Sequence, residues 1–230
     1  MAKNNSFKKY LTPTFFIDSE SDIIKTYARK LCKNIDDPVE KAIKLYYAVR
    51  DGIKYDPYSM EDSRAYMVAS TILKRQFGYC VAKAVVLTAL ARSQQIPARL
   101  GLADVQNHIN SKRLMALMET DIFVYHGFVE LYLNGKWVKA TPAFDLNLCK
   151  KAFVTPLEFD GTYDSIFHEF NTKGNKHMEY IKDHGHFADL PFDRIMEASR
   201  EKYPRYFESL EKHGLKKHGR DFAEETIRNK

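Results

Sequence analysis

Apolar residues recur at helical spacing through the first half of the chain, which predicts a series of amphipathic helices. The first helix begins after Asp18 or Ser19, since either residue can cap it. The second begins where Asp37 precedes Pro38, because proline is favoured at the first helical position, and it ends at Gly52. A third helical stretch is predicted over residues 65–75. The apolar stripes of the first two helices are Ile23, Ile24, Tyr27, Ala28 and Leu31, and Val39, Ala42, Ile43 and Tyr46.

A fourth helix is predicted to begin at Cys80, after Gly78 interrupts the helical pattern. A helix that is apolar on nearly every side is normally buried, so we expect this one at the centre of the domain. Pro97 separates it from a short strand over residues 98–105. The interior residues of the helix that begins at Cys80 are Val81, Ala84, Val85, Leu87, Thr88, Leu90 and Ala91.

The pattern changes to alternation in the second half of the chain. Asn134-Gly135 lies between two alternating runs and is a strong hairpin signal, which predicts strands over 122–133 and 136–141. The preceding segment, residues 106–119, is polar and then rich in Met and Leu. We expect it to be a loop with a short helix over the functional site.

The C-terminal third predicts more sheet and then helix. A further strand pair is expected between Phe153 and Phe170, and a charged amphipathic helix, interrupted near Pro204, from Phe192 onward. Helices first, strands second and a helix last is the order of an α+β fold, with the central buried helix packed on an antiparallel sheet.

Length and composition are those of one globular domain. The 230 residues, 44% hydrophobic and 29% charged, are expected to form a single domain over 1–230. We expect its core over about 20–170 and a C-terminal helical extension over about 190–230.

Charge and cysteine content indicate which partners and which cellular compartment to expect. The net charge is +6, but acidic residues are nearly as frequent as basic ones, and the one dense basic stretch is residues 212–220. Nucleic-acid binding through that stretch therefore stays a secondary alternative. Three cysteines favour a reducing compartment over a disulfide framework, and no stretch is long and apolar enough to cross a membrane. We expect a cytoplasmic protein without a membrane partner.

Cys80 is the candidate nucleophile. Unpaired N–H groups at a helix N-terminus favour negative charge, so a thiol there is expected to be more acidic than a free one. The alternative is a small buried core cysteine, which is the commoner fate of this residue. Cys32 and Cys149 have no helix start beside them in the predicted pattern and are interpreted as structural.

His126 is the candidate general base. Alternation along the predicted strand would place it on one face with Ile122, Val124 and Phe128. A buried imidazole needs partners for its nitrogens, so the alternatives are a hydrogen-bonded core histidine and a base beside a nucleophile. Five other histidines are interpreted as surface residues without a metal site: His108, His168, His177, His184 and His186.

The predicted hairpin suggests a third group. If Leu133 pairs with Lys136, continuation of the ladder places Thr141 and Asp145 diagonally opposite His126 on the same face. Asp145 could then hold the imidazole tautomer, the role of the acid in a catalytic triad. Pro142 weakens this extrapolation, because proline can end the strand.

Four blocks of the sequence resemble the transglutaminase-like superfamily, a branch of the papain-type cysteine enzymes. They are Asp37-Pro38 with Ile53-Lys54-Tyr55-Asp56; Gly78-Tyr79-Cys80 with Ile96-Pro97-Ala98-Arg99; His126-Gly127-Phe128-Val129-Glu130; and Gly135-Lys136-Trp137-Val138 with Thr141-Pro142. The resemblance covers about residues 35–145 and implies the same papain-like α+β fold. It assigns the catalytic cysteine to Cys80 and the histidine to His126.

The chain departs from the family at the acid. The family places an aspartate where this sequence has Thr141, and the proline that follows matches Pro142. Either Asp145 supplies the carboxylate, which the hairpin geometry favours, or Thr141 orients the imidazole weakly and activity is low or absent.

The resemblance implies hydrolysis or acyl transfer on peptide or amide bonds through a thioester, without a cofactor or metal. The substrate would be a peptide, a protein or a small amide. The oxyanion would lie against the Cys80 N–H, with Gln76 a possible second donor. The alternative is a catalytically impaired binding or scaffold module on the same fold. The sequence does not indicate the oligomeric state.

Overall fold

The computed structural model describes residues 7–108, 110–167, 177–213 and 222–227. Within these ranges the helices are α1 (Asp22–Leu31), α2 (Pro38–Gly52), α3 (Ala69–Arg75), α4 (Cys80–Ser93), α5 (Lys112–Met118), α6 (Leu146–Ala152), α7 (Phe192–Lys202), α8 (Pro204–His213) and α9 (Phe222–Ile227). The strands are β1 (Lys54–Tyr55), β2 (Phe77–Gly78), β3 (Ala98–Asn107), β4 (Ile122–Leu133), β5 (Lys136–Ala140) and β6 (Met178–Phe187). The order of elements confirms the α+β class.

The first two helices begin for different reasons. The Asp37 carboxylate accepts the N–H groups of Val39 and Glu40 and caps α2, with Pro38 at its first position as predicted. The prediction for α1 was wrong by two or three residues, because Ser21 rather than Ser19 or Asp18 is at its N-cap position. Asp18 instead accepts the N–H of Ser70 and ties the chain before α1 to α3.

Helix α4 forms the centre of the molecule, as its apolar sequence predicts. Every residue from Cys80 to Arg92 is buried. The few polar side chains are satisfied by carbonyls: Thr88 donates to Ala84, and the Lys83 ammonium donates to the carbonyls of Arg50 and Ile53 at the end of α2. Burial lowers the pKa of Lys83 to about 7. The helix is thereby fixed against α2 as well as packed.

The main sheet is antiparallel, with strand order β5-β4-β3-β6. The predicted hairpin register is confirmed, since Leu133 pairs with Lys136. The ladder ends where Val129 pairs with Ala140, one residue before the predicted end of β5. Thr141 turns to donate its N–H to the carbonyl of Ser165, because Pro142 cannot continue the ladder.

The predicted strand pair between Phe153 and Phe170 was wrong for the part of it that the structure describes. Residues 153–167 contain no strand there, and only an isolated parallel bridge joins Ser165 to Ala140. Residues 168–170 lie outside the described ranges. The fourth strand is β6, which has one paired neighbour and side chains that are mostly half-buried or exposed, so its sequence lacks an apolar alternation.

A β-bulge interrupts β4 beside the candidate histidine. Ala103 pairs with His126 but Val105 pairs with Phe123, so two residues of β4 oppose a single residue of β3. Tyr125, within the bulge, has a φ of 53°. The predicted alternation is therefore wrong for Ile122 and Val124, because the extra residue shifts the pleat, whereas the regular pairing keeps Phe128 on the face of His126. The pairing places Phe123, instead of the predicted Ile122 and Val124, on the same face of the sheet as His126.

The C-terminal helices α7 and α8 are separated at Pro204, as predicted. They are held to the body of the molecule by ion pairs of Arg64 with Asp193 and of Arg200 with Asp62. Tyr206 donates its hydroxyl to the carbonyl of Met60. In the stretches of chain that the structure describes, no helix is long and apolar enough to cross a membrane.

Candidate active site

Cys80 is the first residue of α4 and follows directly on the small parallel pair of β1 and β2. Tyr79 precedes the helix in an extended conformation, which brings the thiol to the helix end. The backbone N–H groups of Gly127, Val81 and Cys80 itself are directed at the sulfur. The sulfur thus lies beside the strand residue that follows His126.

The electrostatics of Cys80 differ from the prediction. Burial raises the thiol pKa to about 11, although the three N–H groups act in the opposite direction. The expectation of an acidic thiol was wrong, because only 8% of the residue is exposed and removal of water disfavours the thiolate more than the helix N-terminus favours it. The resting group is a neutral thiol.

His126 lies at the end of the bulge, with 4% of its surface exposed. Burial, with a smaller contribution from His177, lowers the pKa of its imidazole to about 3, so the ring is neutral at pH 7. Its Nε2 has no hydrogen-bond partner among the described residues. The ring packs against Phe167, with centroids 5.2 Å apart. A neutral imidazole with an unused nitrogen can accept a proton.

Cys80 and His126 line one cavity of about 40 Å³. This interior volume holds a few water molecules, and the pocket is partly open to solvent. The wall is mainly apolar and aromatic, and its other lining residues are Tyr55, Pro57, Met60, Tyr79, Met118, Phe123, Val124, Tyr125, Ile195, Ser199 and Tyr203. As expected for a helix over the site, α5 contributes to this wall, through Met118.

Asp145 lies elsewhere than the hairpin extrapolation places it. Its carboxylate accepts the N–H of Leu148 at 3.0 Å, as the cap of α6, and the N–H of Tyr55 at 3.1 Å. No hydrogen bond joins it to His126 in the described structure. The cause is the early end of β5, since the chain after Pro142 follows a new direction.

Thr141 does not hold the imidazole either. Its carbonyl accepts the hydroxyl of Tyr46, and its own hydroxyl makes no hydrogen bond of ordinary geometry to a described residue. The phenol of Tyr180 lies beside that hydroxyl. The structure therefore brings Cys80 and His126 to one cavity, and among the described residues no carboxylate is hydrogen-bonded to the ring.

Gln76 is not placed to be an oxyanion donor. It ends α3 in a left-handed conformation, its side chain is exposed, and it lines a surface pocket beside α1. The tyrosines that line the cavity were not predicted from the sequence. Tyr203 is the clearest case, because its hydroxyl donates to the carbonyl of Ile122 and accepts the N–H of Val124. The local sequence pattern contains no signal for a contact between Tyr203 and β4, because the two are far apart along the chain.

The remaining cysteines and histidines differ in how far their burial agrees with the prediction. Cys32 and Cys149 are buried free thiols outside the cavity. The interpretation of His177 and His184 as surface residues was wrong: His177 is 1% exposed, and His184 is hydrogen-bonded to Asp104. His108 is half-exposed against Glu179, and His186 is exposed. His168 lies outside the described residues.

Residues 25–142 match the pattern of the Transglutaminase-like superfamily, which is just over half of the chain. The match includes Cys80 and His126 and ends at Pro142. The chain belongs to the transglutaminase-like superfamily. None of the curated proteins matches it significantly.

Two solved structures resemble this transglutaminase-like chain. One is "a Putative Cysteine Protease" from Cytophaga hutchinsonii, with 21% identity and a TM-score of 0.45, covering 58% of this chain and 40% of that one. The other is "a putative protease" from Parabacteroides distasonis, with 17% identity and a TM-score of 0.37, covering 62% of this chain and 26% of that one. This chain therefore spans less than half the length of either.

Proposed function

We propose that this transglutaminase-like protein is a cysteine-dependent hydrolase or acyl transferase for peptide or amide bonds, with Cys80 as nucleophile and His126 as general base and acid. One observation carries the proposal. The sulfur at the start of the buried helix lies against the Gly127 N–H, and the preceding residue, His126, lines the same cavity. Two side chains 46 positions apart are thereby brought to one apolar enclosure.

The chemistry begins from a neutral pair. As the Cys80 sulfur bonds to the substrate carbonyl carbon, its proton passes to the imidazole. The π electrons of the carbonyl move to its oxygen and form an oxyanion. The N–H groups of Gly127, Val81 and Cys80, which lie near the sulfur, are suited to stabilise it. Collapse breaks the C–N bond, and the imidazolium returns its proton to the leaving amine. Water or a second amine then attacks the thioester carbon and gives its proton to the imidazole; the C–S bond breaks and the proton returns to the Cys80 sulfur, which gives hydrolysis or transfer.

The site is narrow and partly open to solvent. Its interior of about 40 Å³ is smaller than an acyl group and an amine together, so a substrate would bind across the open mouth and widen it. The entry of water or a polar substrate would also reduce the burial that raises the pKa of Cys80 and lowers that of His126. Opening and activation would thus be one event.

The test combines turnover and covalent trapping. Wild type and the variants Cys80→Ser and His126→Asn are assayed on a mixed library of fluorogenic peptide amides, and acyl-enzyme is sought by intact mass. We expect turnover and a Cys80 thioester in wild type, and neither in the two variants. Cys32→Ser is the matched control, since it removes a buried thiol outside the cavity. Equal turnover in Cys80→Ser would overturn the proposal.

A non-catalytic binding module is the second candidate, and specific observations favour it. The thiol and imidazole are both neutral at rest, and neither Asp145 nor Thr141 is bonded to the ring. This candidate predicts no turnover and no thioester from a folded wild-type protein. It also predicts that Cys80→Ser leaves every binding property intact.

A further inference from the structure

The backbone that carries His126 is held in a conformation that a tyrosine rarely adopts. Tyr125, immediately before the histidine, has a φ of 53°, in the left-handed region where a side chain is disfavoured. Such conformations persist only where surrounding contacts enforce them. The bulge is also the feature that sets which face of β4 His126 occupies.

Asp104 supplies the enforcing contact. It is the single β3 residue opposite the two bulged residues, and its Oδ1 accepts the N–H of Tyr125 at 2.9 Å. This N–H has left the ladder because of the bulge and would otherwise lack an acceptor. The pairing of β3 with β6 also shifts register next to Asp104, so both neighbouring strands are irregular at this position.

His184 completes the arrangement from β6. Its Nε2 lies 2.7 Å from the same Oδ1 of Asp104, and its ring stacks on the Tyr125 ring with centroids 4.0 Å apart and an interplanar angle of 9°. One side chain therefore fixes both the carboxylate and the tyrosine ring. Both members of this hydrogen-bonded pair are largely shielded from solvent, at 12% and 17% side-chain exposure.

We propose that Asp104 and His184 are positioning residues that hold the Tyr125 bulge and thereby direct the His126 imidazole into the cavity of Cys80. They act through the backbone, since neither lines that cavity. The catalytic consequence rests on the proposed function, whereas the effect on the orientation of His126 does not. Because no described carboxylate is hydrogen-bonded to the ring, this backbone restraint takes the orienting role that the acid has in a triad.

The variants are chosen to separate the contacts. Asp104→Ala removes the acceptor of the Tyr125 N–H, and Asp104→Asn keeps an oxygen in its place. His184→Leu removes the stacking ring and the hydrogen bond to Asp104. Glu179→Gln is the matched control, because Glu179 of β6 is hydrogen-bonded to His108, the residue that follows β3, away from the bulge.

Two measurements are made on each folded variant. The ring chemical shifts of His126 are followed by NMR, assigned by comparison with His126→Asn, and kcat and KM are measured on the best amide substrate. We expect Asp104→Ala and His184→Leu to shift the His126 signals and to lower kcat about tenfold to a hundredfold at nearly unchanged KM. Asp104→Asn and Glu179→Gln are expected to stay within about threefold of wild type.

A rescue tests the role of strain. Glycine occupies the left-handed region freely, so Tyr125→Gly in the Asp104→Ala background is expected to restore part of the wild-type His126 shifts and of kcat. Loss of thermal stability with unchanged His126 signals and pH–rate profile would overturn the inference, because it would mark a structural role only. If wild type shows no turnover, the proposed function fails while the NMR shifts still decide the positioning role.

Discussion

At the scale of single residues, two opposing effects meet at the Cys80 sulfur. Its position at the helix N-terminus and the Gly127 N–H favour the thiolate, and burial disfavours it. Burial prevails, as it does for the His126 imidazole in the opposite direction. A proton transfer within the closed cavity therefore begins from an uncharged pair, and exposure to water or substrate controls its cost.

The reactivity of Cys80 should report this balance. With a thiol pKa of about 11, only a small share of the group is thiolate at pH 7. We expect alkylation of Cys80 by iodoacetamide at pH 7 to be about two orders of magnitude slower than that of a free cysteine peptide. The rate should rise up to pH 10 without a plateau. Peptide mass mapping measures it, and a plateau below pH 8 would indicate a thiolate–imidazolium pair instead.

The stability of the protein should depend on pH through His126. The folded pKa of about 3 lies below the unfolded value of about 6.5, so the unfolded state binds the proton first as pH falls. The resulting stability is full above pH 6.5 and is lost progressively towards pH 3.

The measurement is urea unfolding of wild type and His126→Asn at pH 7 and pH 4. Wild type should lose about 3 kcal/mol more than the variant between these pH values, from the difference between the two pKa values. An equal loss in both proteins would show that the imidazole is not held neutral by burial.

At the scale of elements, the site depends on close contact between β4 and the start of α4. A Cβ on Gly127 would lie 2.8 Å from the Cα of Val81, which is backbone and cannot rotate away. Glycine is therefore required where the strand bearing His126 crosses the helix bearing Cys80.

Gly127→Ala should separate these two elements. We expect it to lower the free energy of unfolding by about 2–3 kcal/mol, as overpacking in a core does, and to change the alkylation rate of Cys80. Gly135→Ala is the control: it lies in open space with a φ of 85° and should cost about 1–2 kcal/mol through backbone strain alone. An unchanged Cys80 rate in Gly127→Ala would argue against the close contact.

The cap of α6 gives a test for Asp145. Because its oxygens accept the N–H groups of Leu148 and Tyr55, Asp145→Ala should lower stability by about 1–3 kcal/mol and leave the pH–rate profile of the folded protein unchanged. Thermal unfolding and kcat measure the two effects. A thousandfold loss of kcat at unchanged stability would instead make Asp145 the orienting acid.

At the scale of the whole molecule, the C-terminal helices complete a site that begins in the family region. The family match ends at residue 142, yet Ile195, Ser199 and Tyr203 of the C-terminal region line the cavity. The Tyr203 hydroxyl is also hydrogen-bonded to the backbone of Ile122, before the bulge, and of Val124, within it. The extension thus encloses the reactive groups rather than packing at a distance.

Ile195→Ala should open this wall. Its side chain is 2% exposed, so we expect a loss of about 2–4 kcal/mol in stability together with a roughly tenfold faster alkylation of Cys80. Ile24→Ala, an equally buried change in α1 away from the cavity, should lose similar stability without the faster reaction. Equal Cys80 rates in the two variants would show that α7 does not restrict access.

Local patterns in the sequence determined much of this architecture. The apolar run from Val81 to Ala91 predicts the buried central helix, Asn134-Gly135 predicts the hairpin register, and Asp37-Pro38 predicts the start of α2. Each depends on side chains and turn residues a few positions apart, so the physical cause is contained in the segment itself.

The tertiary structure decided the remainder, because the causes lie between distant segments. The pKa of Cys80 follows from burial by the whole molecule, and the new direction of the chain after Ala140 removes Asp145 from the imidazole. The bulge at Tyr125 depends on a carboxylate 21 positions away and a ring from β6. Alternation along β4 alone contains none of this information, because the position of a bulge depends on contacts with the neighbouring strands.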